Sequence, residues 1–325
     1  MFMGQLLDEL SSAVARSRMA FFVGRNDTGK STLIKHIASS MDVSIIDSDI
    51  GQSDVGPPSV VALGERHGGQ YVMVDGYFCG STSPARHFLQ LIAGSARIAK
   101  RAKRYPVLVN TTGLATGEVG RALKTEKINA LAPDLIIGMG GGLEYLDAFG
   151  NAGATVVHLP VSPAVKRKSR SERTALRQKA FGEHFREARS VTYPFKGFSV
   201  ERSLLFNGRQ HHITNDVLRL DVSGNEAVAV ISGKLSGYKA LMEKLGLDIL
   251  YVYTPEDFVN ALVGLLDGRG RFLGLGIIEA MDFEDEKIHL YTAASSFSVL
   301  QFGSIRLNMK DFLYMGPFSG HTLRA

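Results

Sequence analysis

Residues 19–32 read MAFFVGRNDTGKST. A short apolar run enters a loop with glycine near both ends, and a lysine and two hydroxyl residues follow. Gly24, Arg25, Asn26, Asp27, Thr28, Gly29, Lys30 and Ser31 satisfy G-x-x-x-x-G-K-S/T at every fixed position, and Thr32 follows as a second hydroxyl. Residues 19–23 read as a buried strand and 30–39 as a helix, so successive backbone N–H groups and the helix N-terminus can surround a β-phosphate. Lys30 is then placed to reach the β and γ phosphates, and the Ser31 hydroxyl to coordinate magnesium. This stretch predicts a nucleoside triphosphate site.

Outward from the loop, 6–18 reads as a helix, and 43–47, 71–75, 106–110, 134–137 and 155–159 read as short apolar strands. Between them lie helical stretches, chiefly 84–104, where Ser83 is placed as N-cap and Pro84 in the first turn. Short strands alternating with longer helices predict an α/β, P-loop NTPase three-layer domain with a mostly parallel sheet. After Pro194 the pattern changes to short segments separated by glycines, at 227–231, 249–253, 273–279, 287–292 and 304–307, with a helix expected over 255–266. The expected division is a nucleotide-binding domain over 1–193 and a smaller β-rich C-terminal domain over 194–325.

A chain of 325 residues can bury a large core without covalent staples, and one cysteine, Cys79, excludes a disulfide framework or a multi-thiolate zinc site. The first 24 residues carry acids ahead of their apolar run, unlike a signal peptide, and no stretch approaches the roughly 18 apolar residues of a membrane span. A cytoplasmic location and no membrane partner are expected. The net charge of +5 is unevenly spread. Residues 86–104 hold six basic side chains and no acidic one, and 161–190 hold nine against three, whereas from 191 onward there are thirteen basic and fifteen acidic. A polyanion would therefore meet the N-terminal domain first.

The next strand ends in IIDSDIGQSD, residues 45–54. Asp47 and Asp49 stand near the C-terminal end of a sheet strand, where open α/β sheets place their chemistry. One carboxylate can hold magnesium through water, the other can accept a proton from an attacking hydroxyl, and Gln52 can orient substrate. Asn110-Thr111-Thr112-Gly113 follows another strand; it reads equally as a hydroxyl pair beside the phosphates or as a turn closing the strand. Arg170, Arg173 and Arg177 share one face of a helix and could close over a transferred phosphate. Pro160 and Pro163 just upstream would allow a hinge.

In order along the chain, GRNDTGKST, DSDIGQ, GSTSP at 80–84, NTTG and ERTALRQ at 172–178 together resemble the polynucleotide 5′-hydroxyl kinases related to the pre-mRNA cleavage-factor kinase and the ribosomal-RNA-processing kinase. The resemblance covers about 20–180, and the glycine-punctuated C-terminal part looks like the β-rich appendage of that family. It implies transfer of the ATP γ-phosphate, with Mg2+, to the 5′-hydroxyl of RNA, with DNA as a second candidate acceptor. It further implies that Lys30 neutralises the triphosphate, Asp49 activates the hydroxyl, Ser31 and Asp47 serve the metal, and Thr111 belongs to a phosphate clasp. Arg173 and Arg177 would close from an arginine lid over 164–182, and Gln52, Thr112, Leu114 and Arg170 would face the acceptor.

Two departures bear on this reading. The clasp of relatives often continues as T-x-G-W, whereas Leu114 stands here and the chain has no tryptophan, so Tyr77 or Phe78 would have to supply any stacking surface. Relatives can also carry a separate N-terminal domain, while this chain reaches its phosphate loop almost at once, which implies a compact form with fewer protein partners. The competing function is an ATP-binding scaffold or assembly NTPase in RNA processing, in which nucleotide moves the lid and little phosphate reaches RNA. A metal-delivery NTPase fits poorly, because the histidines, His211-His212 among them, are scattered.

Overall fold

The computed structural model describes residues 2–212, 216–233 and 237–324. Two compact units divide the chain, Met1–Phe181 and Gly182–Ala325. This division lies ahead of the composition change at Pro194, because Arg189–Pro194 already pairs as a strand with Lys287–Thr292 of the second unit.

The first unit runs α1 (Phe2–Arg16), β1 (Met19–Gly24), α2 (Lys30–Ser40), β2 (Ser44–Ser48), β3 (Val60–His67), β4 (Gln70–Phe78), α3 (Phe88–Ala99), β5 (Val107–Thr111), α4 (Gly117–Leu131), β6 (Leu135–Met139) and β7 (Thr155–Leu159). Then α5 (Arg170–His184) begins. The sheet order is β4-β3-β2-β5-β1-β6-β7. The five strands from β2 to β7 are parallel, and β3 and β4 add an antiparallel hairpin at one edge. Alternation along β1 sorts the core into two layers. Phe21 and Val23 pack with Leu91 and Ile98 of α3 and Leu123 and Ile128 of α4, whereas Ala20 and Phe22 pack with Val14 of α1 and Ile34 and Ile37 of α2. This is the three-layer α/β domain expected from the strand-helix alternation.

Two local expectations change. The helix expected over 84–104 starts only at Phe88, because Arg86 adopts φ 66° and the Ser83 hydroxyl accepts the Ala85 N–H in a turn rather than capping a helix. In addition, β3 had no counterpart in the apolar-run reading. Its outer end, Gly64 to His67, mixes glycine and charge, although the strand pairs fully with β4.

The second unit holds β8 (Arg189–Pro194), β9 (Ser199–Glu201), β10 (Arg209–His211), β11 (Val217–Ser223), β12 (Glu226–Ile231), α6 (Tyr238–Leu245) and β13 (Ile249–Tyr253). It continues with β14 (Ala261–Leu266), β15 (Phe272–Asp282), β16 (Lys287–Thr292), β17 (Val299–Leu307), β18 (Tyr314–Pro317) and β19 (His321–Arg324). One sheet has the order β10-β11-β12-β13-β19 and the other β18-β17-β14-β15-β16-β8, with β9 beside β17. Val228 and Val230 of the first share a core with Val263, Leu265, Ile278 and Leu300 of the second, filled by an aromatic cluster around Phe258. The helix expected over 255–266 is a short 3-10 turn, Pro255–Phe258, followed by β14. Asn260, at φ 68°, breaks any helix there, and all six residues of ALVGLL are buried between β15 and β17. An apolar run of this length suits a central strand as well as a helix, and burial on both faces decided the outcome.

Candidate active site

The phosphate loop is built as its residues require. β1 delivers Gly24 at the C-terminal edge of the parallel sheet, and Gly29 turns into α2 with φ 91°, a left-handed conformation open to glycine at little cost. No side chain caps the N-terminus of α2, which leaves that end to an anion. Thr28 is buried and donates to the Arg25 carbonyl at 3.0 Å. The Lys30 ammonium is buried too and donates to the Gly24 and Arg25 carbonyls at 2.9 and 2.8 Å, folded back across its own loop. Burial draws its pKa down, while Asp49 and Asp27 oppose the shift. Arg25, Asn26 and Thr32 are exposed. Asn26, in the loop after β1, packs against the segment that follows β5. A Cβ added at Gly113 would meet the Asn26 Oδ1 at 1.8 Å, so the loop and the NTTG segment are in direct contact only because residue 113 has no side chain.

The two aspartates have different surroundings. Asp47, within β2, is 1% exposed and accepts five hydrogen bonds. These come from the Asp49 N–H and Asn110 Nδ2 on Oδ1, and from the Ser53 hydroxyl and the Asp54 and Val55 N–H groups on Oδ2. Burial, with Asp49 and Asp54 nearby, pushes its carboxyl up to about 7. The five donors nevertheless give both oxygens acceptor roles, which suits the carboxylate. Asp47 thus organises the 49–55 turn, and its lone pairs are committed to the protein. Asp49, just beyond the strand, is half-buried and accepts the Gly51 N–H at 3.3 Å, with the Gln52 N–H as a second backbone donor. Burial raises its pKa, opposed by Lys30, the Gly51 N–H and Lys124. A carboxylate coupled to Lys30 and lightly hydrogen-bonded is the better candidate base.

Beside them, Asn110 Nδ2 also reaches the Ser31 Oγ at 3.4 Å, and its Oδ1 is buried without a partner. A cavity of about 390 Å³ is lined by Ser31, Asp47, Asp54, Tyr71 and Asn110, among others. Among the described residues no group of three His, Cys, Asp or Glu side chains could hold a metal unaided. The donor set fits magnesium arriving with the nucleotide: one hydroxyl, an orphaned amide oxygen, and room for water.

Thr111 is the last residue of β5. It is fully buried and its hydroxyl donates to the Phe22 carbonyl at 2.7 Å, tying β5 to β1, which realises the turn-closing alternative for this residue. Thr112, the next residue, receives the Lys124 ammonium on its carbonyl at 2.7 Å and its hydroxyl at 3.2 Å. Leu114 packs against the α3/α4 core layer. Of the two aromatic residues expected to replace the missing tryptophan, Phe78 is 1% exposed, and the half-buried Tyr77 ring packs against α3 at Gly94. The 80–84 turn sits beside the acidic segment, its Thr82 carbonyl against Gly51. In the basic stretch 86–104, Arg101 pairs with Asp75, and Arg104 with Asp42 and Glu65, so part of that charge is neutralised within the fold.

The arginine helix is tied to the loop. Ser169 and Glu172 exchange hydrogen bonds at its start, a reciprocal cap. Asp27, whose side chain is 8% exposed, accepts from the Arg173 guanidinium and from the Lys168 N–H. The Gln52 amide donates to the Arg173 carbonyl at 3.2 Å, so Gln52 anchors the helix to the acidic segment. Arg177 is half-buried and donates to Thr174; burial lowers its pKa, as do the like charges of Arg170 and Arg173. Arg170 is exposed at the first turn. Three crowded guanidiniums are relieved by an anion. Two residues that motif reading passed over also converge here, Lys124 and Lys127 of α4, both buried, with the Lys127 ammonium on the Ser48 hydroxyl at 2.5 Å.

Residues 24–187 match the family described as the mRNA cleavage and polyadenylation factor CLP1 P-loop. The chain is 30% identical over 314 residues to a polyribonucleotide 5′-hydroxyl-kinase of Methanocaldococcus jannaschii, covering 88% of this chain and 86% of that one. It is 28% identical over 322 residues to the same kind of kinase in Pyrococcus furiosus, covering 91% and 89%. Among solved structures, wild-type Clp1p in complex with Pcf11p (454–563) superposes with a TM-score of 0.64 at 11% identity, over 93% of this chain and 79% of that one. That likeness supports the fold.

Proposed function

The chain belongs to the CLP1 P-loop family as an ATP-dependent polynucleotide 5′-hydroxyl kinase, and from that premise we propose that its acceptor is RNA bearing a 5′-hydroxyl, with roles divided as follows. The observation that carries the assignment is the convergence on one phosphate loop of Lys30, the half-buried Asp49 and the Asp27-tethered Arg173.

Lys30 leaves the Gly24 and Arg25 carbonyls for the β and γ phosphates when ATP enters, while the free α2 N-terminus receives the β-phosphate. Ser31 and the Asn110 amide oxygen would hold Mg2+ and its waters, and the ion when bound would neutralise charge on the phosphate oxygens. Asp49 accepts the proton of the 5′-hydroxyl as that oxygen attacks the γ-phosphorus and the bond from that phosphorus to the bridging oxygen breaks, releasing ADP. Arg173 and Arg177 stabilise the negative charge spread over the transferring group. Asp47 takes no direct part; it holds the 49–55 turn that aims Asp49.

The test is incubation with γ-labelled ATP, magnesium and matched oligomers ending in 5′-hydroxyl or 5′-phosphate, as RNA and as DNA. Label on the hydroxyl-ended RNA alone, or on it faster than on DNA, is the expected result. ATP hydrolysis without labelled RNA would overturn the proposal in favour of the assembly NTPase.

A further inference from the structure

Helix α4 buries Gly120, Leu123, Lys124, Lys127 and Ile128, so two lysines occupy the stripe that faces the sheet. They are 0% and 1% exposed, in a position where lysine is almost never found without a partner. Each ammonium goes to one of the two strand ends that frame the acceptor side of the site. Lys124 donates to the Thr112 carbonyl at 2.7 Å and hydroxyl at 3.2 Å, just past β5. Lys127, one turn on, reaches the Ser48 hydroxyl at 2.5 Å, at the end of β2 immediately before Asp49. Ser48 in turn donates to the Asn110 carbonyl at 2.6 Å, which closes a loop of contacts from α4 through β2 to β5. The Lys127 ammonium also lies over the Phe21 ring, 6.0 Å from its centroid.

Burying two ammoniums next to each other is costly, and apolar side chains of similar volume would fill this stripe at equal or better stability. Burial draws both pKa values down, Lys127 to about 8, and Asp49 opposes the shift at each. Stability therefore does not account for the pair, whereas placement of Asp49 and Thr112 does.

We infer that Lys124 is a positioning residue for the transfer step: its ammonium pins Thr112 against the end of β2 that carries Asp49, and Lys127 braces Ser48 in the same way. The inference rests on the kinase reading above. It deepens that reading by assigning the acceptor-side geometry to a helix that carries none of the family-like motifs.

The test uses the full chain with Lys124→Met, which keeps the length of the side chain and removes its charge and donors. Thermal melting, ATP affinity by equilibrium binding, and kcat and KM for 5′-hydroxyl RNA are measured in parallel. The expected result is cooperative melting with ATP affinity within about threefold of the parent, and kcat lower by about 30- to 100-fold, as misplacement on the ångström scale gives. Lys127→Met is expected to show the same split at smaller amplitude. If Lys124→Met does not melt cooperatively, Lys124→Leu, which likewise removes both donations to Thr112, is used for the same comparison. A kcat within about threefold of the parent, or ATP affinity falling in parallel with kcat, overturns the inference. Absence of label transfer by the parent protein would refute the kinase reading instead, so the two failures are separable.

Discussion

Replacing Asp27 by asparagine should loosen the arginine helix from the phosphate loop before any nucleotide is present. In the structure the Asp27 carboxylate accepts from the Arg173 guanidinium and from the Lys168 N–H. A hydrogen bond to a charged group contributes roughly 1.5–3 kcal/mol net. The Arg173 side chain is 28% exposed, so solvent screening argues for the lower part of that range. Asparagine keeps an oxygen that can still accept, which leaves a loss of about 1–2 kcal/mol, or roughly 5- to 30-fold in the ratio of docked to undocked helix. The Gln52 contact at 3.2 Å persists and sets a ceiling on the effect. The assay is amide hydrogen exchange on the ATP-free protein, comparing the first two turns of α5 with the buried turns of α4 as an internal reference. Exchange in α5 should accelerate by that factor while α4 is unchanged. Unchanged α5 protection in a variant that melts like the parent would refute the idea that Asp27 holds the helix.

The other expectations concern the base, the loop contact and the second unit. Asp49→Asn should lower label transfer by about 10²- to 10⁴-fold while ATP binding stays measurable, and near-parental turnover would remove Asp49 from the base role. Gly113→Ala forces a Cβ to within 1.8 Å of the Asn26 Oδ1 and 2.5 Å of its backbone N. The phosphate loop must shift, and ATP affinity should weaken by about tenfold in an equilibrium binding titration, at an overpacking cost of about 1–3 kcal/mol. His184 is held near about 4 by burial, and its Nε2 accepts the Leu275 N–H at 3.0 Å. The unfolded chain, with histidine near 6.5, binds the extra proton first, so this contribution is present above about pH 6.5 and is lost as pH falls towards 4. Allowing for partial exposure, denaturant unfolding at pH 5 should show about 1–2 kcal/mol less stability from this group than at pH 7, and His184→Gln should flatten that difference.

The donor half of the site was legible because its signals are local. A phosphate loop needs its glycines, lysine and hydroxyl at fixed spacing, and the structure has the predicted strand, loop and helix around Gly24–Thr32 positions in order. The alternation of strands and helices was equally local, and the sheet followed from it. Thr111 and Thr112 were harder. They are adjacent on the chain, and only the register of β5 against β1 turns one hydroxyl into the sheet and leaves the other to Lys124. Asp47 and Asp49 share a strand face by spacing, but the chain turns after Ser48, so one carboxylate is enclosed by five donors and the other is left open. Charge counts misled in one respect. They could not show that Arg101 and Arg104 are committed to Asp75, Asp42 and Glu65.

Lys124 and Lys127 mark the limit of reading by residue type. Lysine on a helix reads as a solvated face, yet positions 120, 123, 124, 127 and 128 form the i, i+3, i+4, i+7, i+8 stripe of a core-facing helix, with Leu123 and Ile128 flanking the lysines. Periodicity therefore carried the signal that residue identity hid. The consequence reaches the acceptor side. Phe78 is enclosed, while Leu114 and Tyr77 are half-buried, both packed against the α3/α4 core layer. In the proposed site the 5′ end would meet charge and hydrogen bonding: the Thr112 hydroxyl set by Lys124, the Asp49 carboxylate, and the arginines held by Asp27 and Gln52. On the proposed reading, such a site would grip the sugar-phosphate end of its acceptor more than the base attached to it, because phosphate contacts position a strand without reading its sequence.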